Sequence, residues 1–191
     1  ATSAIFIDAM IDLSGGSFTA TESNLVGNFN QNASITAGSV SISNFVNVNI
    51  NANITATGNV TATGTNFNLN NSLSANTLDI SGITNASNIA LSNITSLNTL
   101  VGNGSDTLTG SSGADGFTIT GSNSGTVNGI TFSAVENFAG AAGNDTFTIG
   151  DSGSLSGTID GGDDTDTLTG RTIADGFTIT GSNSGTVNGI T

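Results

Sequence analysis

The chain has 191 residues, of which 8% are charged, and a single basic residue, Arg171, stands against 14 acidic ones for a net charge of −13. That balance excludes nucleic acid and anionic membrane surfaces as partners, since both require clustered Lys or Arg, and it makes divalent cations the better match. Cys, His, Trp, Tyr, Pro and Lys are absent, which removes disulfides, thiolate and imidazole metal sites and the commonest general base.

The first expected strand is AIFID at 4–8, and SVSI at 39–42 is the next clear one. Residues 46–64, VNVNINANITATGNVTATG, alternate strictly. Val46, Val48, Ile50, Ala52, Ile54, Ala56, Gly58, Val60 and Ala62 fall on one face, and Asn47, Asn49, Asn51, Asn53, Thr55, Thr57, Asn59, Thr61 and Thr63 on the other. A period of two means β-structure with one dry and one wet face. The wet face carries no charge, whereas ordinary surfaces place Lys, Glu or Asp there. Its Asn residues are therefore expected to stack on one another rather than to bind a ligand.

FNLN at 67–70, NTLDI at 76–80 and SNIALSNI at 87–94 continue the short strands. Residues 85–97 have apolar spacings a helix would tolerate, but they are too rich in Asn, Ser and Thr to favour one. No apolar run approaches the roughly 18 residues of a membrane span. The expected fold is all-β throughout.

From about residue 100 the chain becomes rich in Gly and Asp. This divides it into an Asn/Ser/Thr-rich region at 1–104 and a Gly/Asp-rich repeat region at 105–191. DTLTGSSGADGFTITGSNSGTVNGIT at 106–131 returns as DTLTGRTIADGFTITGSNSGTVNGIT at 166–191, with only Ser111, Ser112 and Gly113 replaced, by Arg171, Thr172 and Ile173. The repeat unit is thus 106–165, with a partial second copy at 166–191. A weaker half-period relates GADGFTITG at 113–121 to GNDTFTIG at 143–150. Such self-similarity marks stacked units that bury apolar faces against their neighbours. A β-solenoid rod of the parallel β-helix kind, with roughly 20 residues per coil, fits this best. Tandem β-sandwich domains are the alternative.

The Gly/Asp segments resemble the calcium-binding nonapeptides of the repeats-in-toxin family, G-G-x-G-x-D-x-U-x, where U is a large apolar residue. VGNGSDTLT at 101–109, GSSGADGFT at 110–118, GAAGNDTFT at 140–148, GGDDTDTLT at 161–169 and GRTIADGFT at 170–178 carry the likeness. The resemblance implies that Asp106, Asp115, Asp145, Asp166 and Asp175 are candidate calcium ligands. Gly104, Gly113 and Gly143 match the fourth position, where Asp164 and Ile173 depart from it. Residues 100–191 also resemble the Asp/Gly-rich tracts of large secreted bacterial adhesins, and ASITAGSVSI with ITATGNVTATG is similar to filamentous-haemagglutinin-type exoproteins. Both likenesses imply export, a place outside the cell or on its surface, and a structural or adhesive role.

The expected function is non-enzymatic: a segment of a secreted adhesin, or the subunit of a self-assembling surface or matrix fibre. Its expected partner is itself, with cell-surface or matrix polysaccharide as a further candidate. A calcium-dependent module that folds on export is the alternative, and an ice-binding solenoid, suggested by recurring Thr-x-Thr pairs, is a remote one.

Overall fold

The computed structural model describes residues 4–13, 15–181, 184–187 and 190. It is a parallel β-solenoid of about 8 turns, with 60% of the chain in strands and 2% in helix. The expected solenoid forms, and the tandem sandwich does not.

Each coil has three walls. Wall one stacks Phe18, Val40, Val60, Leu78, Leu100 and Phe132 rung upon rung. Wall two stacks Ile5, Phe29, Val48 and Phe67, and higher up the rod Ile89, Leu108, Phe138 and Ile159. Wall three stacks Ile11, Ile35, Ile54, Leu73 and Ile94, then Phe117, Phe147 and Leu168. Like residues superpose because parallel strands in register bring equivalent positions within about 4.8 Å. Phe29, Phe45, Phe117, Phe132, Phe138 and Phe147 are fully buried. Burying each one contributes roughly 1.5–3 kcal/mol, and the rings of Phe117 and Phe147 stack face to face at 4.8 Å.

The alternating run at 46–64 is not one strand. It is shared among Ser39–Ile50, Ile54–Ala56 and Asn59–Leu69, which lie on successive walls. The inward residues flanking each corner, Ile50 to Ile54 and Ala56 to Val60, are an even number of positions apart. Inward parity therefore survives the corner, and periodicity alone cannot reveal the bend. Glycine marks the third-to-first corner: Gly58 donates its N–H to Gly38 at 2.7 Å, and a Cβ on Gly38 would collide with the carbonyl of Gly15. Residues 85–97 are strands Asn88–Ala90 and Ile94–Ser96 around a single 3-10 turn, Leu91–Asn93.

Strand Thr99–Thr109 runs through position 104/105, and walls one and two continue across it. Wall three does not. Its first five rungs end at Ile94–Ser96, and the next rung, Gly116–Gly121, pairs instead with Ser124–Val127 in an antiparallel hairpin built into the coil. The same sequence recurs as hairpin Phe177–Gly181 with Ser184–Val187, which forms a separate two-stranded sheet. Phe117 is 1% exposed and its repeat partner Phe177 is 59% exposed.

Candidate functional site

Two polar ladders run along the rod. On wall two the Asn side chains of the first region pair amide to amide, each Nδ2 donating to the Oδ1 one rung before. One column joins Asn28, Asn47, Asn66 and Asn85, with every bond at 2.7 Å. A second joins Asn30, Asn49 and Asn68 at 2.8 Å. A third joins Asn32, Asn51 and Asn70, and its first rung is Asp8, which accepts from Asn32 at 2.8 Å. The stacking expected of Asn47, Asn49 and Asn51 is what forms, and Asn53 likewise accepts from the Ser72 hydroxyl at 2.7 Å.

The second ladder belongs to the Gly/Asp coils, where carboxylates turn inward at the corners. Asp145 Oδ1 accepts the backbone N–H of Asp115 at 2.7 Å, and Asp166 Oδ1 accepts that of Asp145 at 3.0 Å. On the neighbouring corner Asp106 Oδ1 accepts the N–H of Ser87 at 2.8 Å, and Glu136 Oε2 accepts that of Asp106 at 3.1 Å. The result is a staircase in which each acid caps a backbone N–H of the rung before it, that of another acid in every case but Ser87. The space it needs comes from glycine: a Cβ on Gly110 or Gly140 would meet the carboxylate of Asp115 or Asp145 and the carbonyl of the next coil.

Of the five acids singled out from the sequence, Asp106, Asp115 and Asp145 are buried and Asp166 and Asp175 are half-buried. The second oxygens of Asp106 and Asp115 accept from the N–H groups of Asn103 and Ser111, and Asp115 also accepts from the Asn128 amide. Asp175 repeats the Asp115 turn. The N–H of Arg171 replaces that of Ser111 at the same 2.6 Å, and the guanidinium adds an ion pair at 2.8 Å. Sequence reasoning missed Glu136, which is 5% exposed. The signal was present: Glu136-x-Phe138 has the spacing of Asp106-x-Leu108, and Ala134, at the fourth position, takes a positive φ of +53°, as Gly104 and Gly143 do at +96° and +105°. Asp164 also adopts it, at +76°, so this departure from the nonapeptide pattern keeps the backbone shape.

Burial raises the affinity of Asp106, Glu136 and Asp145 for protons, and like charge adds to it, from Asp106 at Glu136 and from Asp115, Asp166 and Asp164 at Asp145. Asp145 Oδ2 is buried and accepts no hydrogen bond. Ala141 takes a φ of +78° at the place where Ser111 directs its N–H at Asp115. Asp151 is shifted the opposite way because the hydroxyl and N–H of Thr172 bind its carboxylate.

Calcium requires six to eight oxygens around one ion. Among the described residues no three acidic side chains gather into such a set, and the staircase acids face N–H donors. Acidic side chains alone, among the described residues, therefore do not make a calcium cage. Where wall three is interrupted, a groove of about 330 Å³ opens between Leu91, Ile94, Leu97 and Ile130 on one side and Ser111, Asp115 and Asn128 on the other. Its one carboxylate, Asp115, is already hydrogen-bonded. No helix among the described residues is long and apolar enough to cross a membrane. Compared with known proteins, the chain matches no family model, no curated protein and no solved structure.

Proposed function

We propose that this chain is a non-enzymatic, extracellular structural rod that works by self-association, as a segment of a secreted adhesin or a subunit of a surface or matrix fibre. One observation carries the reading. Among the described residues, the eight large hydrophobics that stand exposed lie at the ends: Phe6, Met10, Leu13, Leu25 and Val26 at one, and Leu168, Ile173 and Phe177 at the other. Between them the surface of the first half is laddered amide and hydroxyl, with Asp79 the only charged residue from 23 to 105, and that of the second half adds exposed carboxylates at Asp151, Asp160, Asp163 and Asp164. Apolar surface confined to the tips favours contacts along the rod axis, and heterologous contacts that do not close make open filaments. Neutral polysaccharide remains the further partner that an uncharged amide face suits. The Thr-x-Thr pairs are spread over all three walls (Thr61 on the first, Thr107 on the second, Thr146 on the third), which disfavours an ice-binding plane.

Sedimentation velocity of the 1–191 chain at micromolar concentration tests the reading, and species larger than a monomer are expected. A monomer across the accessible concentration range at both pH 7 and pH 4 would overturn it. Circular dichroism in chelator and then in millimolar calcium separates the calcium-folded alternative: the rod keeps its β signal in chelator, whereas the alternative gains it only with the ion.

A further inference from the structure

Resting on that reading, we propose that the rod extends head to tail through one defined contact, in which the second-wall strand Ala4–Ile7 of a second copy adds to the outer edge of Ile159–Asp160, with Ile7 over Ile159 and Asp8 over Asp160. Ala4–Ile7 pairs on one side with Asn28–Gln31, and Ile159–Asp160 pairs on one side with Phe138–Ala139. Among the described residues, no rung is paired with the other side of either strand. Both pairings are parallel, and the two edges face opposite ways along the axis, so a second copy placed beyond the tail meets it with strand direction preserved. The proposed register sets Ile7 over Ile159 because each is the last inward apolar side chain before the corner between walls two and three. Beyond that corner, Ile11 falls over Leu168, which is 41% exposed, and extends the third-wall column of Phe117, Phe147 and Leu168.

The same register sets a condition on assembly. Asp8 heads the outer Asn column and accepts from Asn32, while Asp160 is exposed at the tail. Stacked one rung apart, about 4.8 Å, the two carboxylates repel. Asp12 and Glu22 lie at the head, and Asp163, Asp164 and Asp166 at the tail. The one basic side chain, Arg171, is engaged with Asp175, so among the described residues no basic side chain offsets the contact. Acid therefore promotes assembly and neutral pH opposes it. Asp8→Asn converts the clash into the amide-to-carboxylate bond already seen between Asn32 and Asp8, and should lower the concentration for half-assembly at pH 7 by roughly tenfold.

The experiment has two arms. Sedimentation of the wild-type chain and Asp8→Asn at pH 7 and pH 4 should show larger species at pH 4, and at pH 7 for the variant alone or preferentially. Mixing the single variants Phe6→Cys and Thr158→Cys, in a chain with no cysteine of its own, should give an oxidised heterodimer. Adjacent rungs lie within the 4.4–6.8 Å that a disulfide spans. Ala4→Cys with Thr158→Cys, two residues out of register, should not cross-link. Polymers without the Phe6–Thr158 cross-link, or with both cross-links equally, would overturn this contact while leaving a self-associating rod. Monomers at both pH values would overturn the contact and the rod reading together, leaving the tail edge to another segment or protein.

Discussion

Replacing Asp145 with Asn should stabilise the rod at neutral pH, against the usual expectation for removing a buried hydrogen-bonding acid. Asp145 is 1% exposed; one oxygen accepts the N–H of Asp115 and the other has no partner. Asn keeps the acceptor and turns an amide N–H₂ toward the carbonyl of Gly161, which crowds the same point beside Gly140. A buried, unsatisfied polar atom costs about 1–3 kcal/mol, so a gain of that order is expected at pH 7. With a urea dependence of about 1–3 kcal/mol per molar, the unfolding midpoint should rise by roughly 1 M. The pH dependence gives an independent check. A carboxyl whose folded pKa lies above its ordinary value, near 3.8, contributes stability that is complete below that value and is lost as pH rises through the folded one. The wild type should therefore gain more on acidification from pH 7 to pH 4 than Asp145→Asn does. Equal gains, or a lower midpoint for the variant at pH 7, would refute this account of the staircase.

Asn47→Ala removes two side-chain bonds in mid-column, to Asn28 and from Asn66, and should cost about 2 kcal/mol in urea unfolding. Asn68→Ala, which removes one exposed bond, should cost less than half as much. Ala134→Gly relieves a left-handed residue worth about 1–2 kcal/mol, offset by about 0.5–1 kcal/mol of glycine chain entropy, so a small net stabilisation is expected by the same assay. Hydrogen exchange followed by mass spectrometry at pH 7 and pH 4, corrected for intrinsic rates, should show protection rising with acid across 106–169 and changing little across 28–70.

The inward pattern was legible because it is a single rule applied rung after rung: every residue on the dry face at 46–64 lies inside or half inside the rod. The corners were not, since the even spacing between Ile50 and Ile54 hides a bend from any period-of-two reading. The stacking of Asn followed from the residue type alone, because an amide both donates and accepts and so satisfies its own copy. The candidate acids were found by the nonapeptide spacing, but spacing does not say which way a carboxylate points. Inward orientation depends on glycines such as Gly110 and Gly140 leaving room, and on whether residue 111 or 141 aims its N–H at the acid. Glu136 escaped because Ala134 conceals, behind an ordinary side chain, the left-handed turn that glycine advertises.

One geometric task, joining rung to rung, is met by two chemistries with different consequences. An Asn column is self-complementary: each Nδ2 finds the Oδ1 of its neighbour, no charge is buried, and the column can lengthen without change of principle. A carboxylate only accepts, so the Gly/Asp coils cannot ladder acid on acid. Each acid must take a backbone N–H from the adjacent rung, which draws it into the corner, away from water and toward other carboxylates. The Asn columns from Asn28 upward are thereby indifferent to pH, while the acidic half carries Asp106, Glu136 and Asp145 in environments that favour the protonated form. The two halves share a continuous first wall, from Val60 and Leu78 through Leu100 to Phe132. A rod built this way joins an amide-laddered segment to one whose buried carboxyls favour the protonated form, within a single fold.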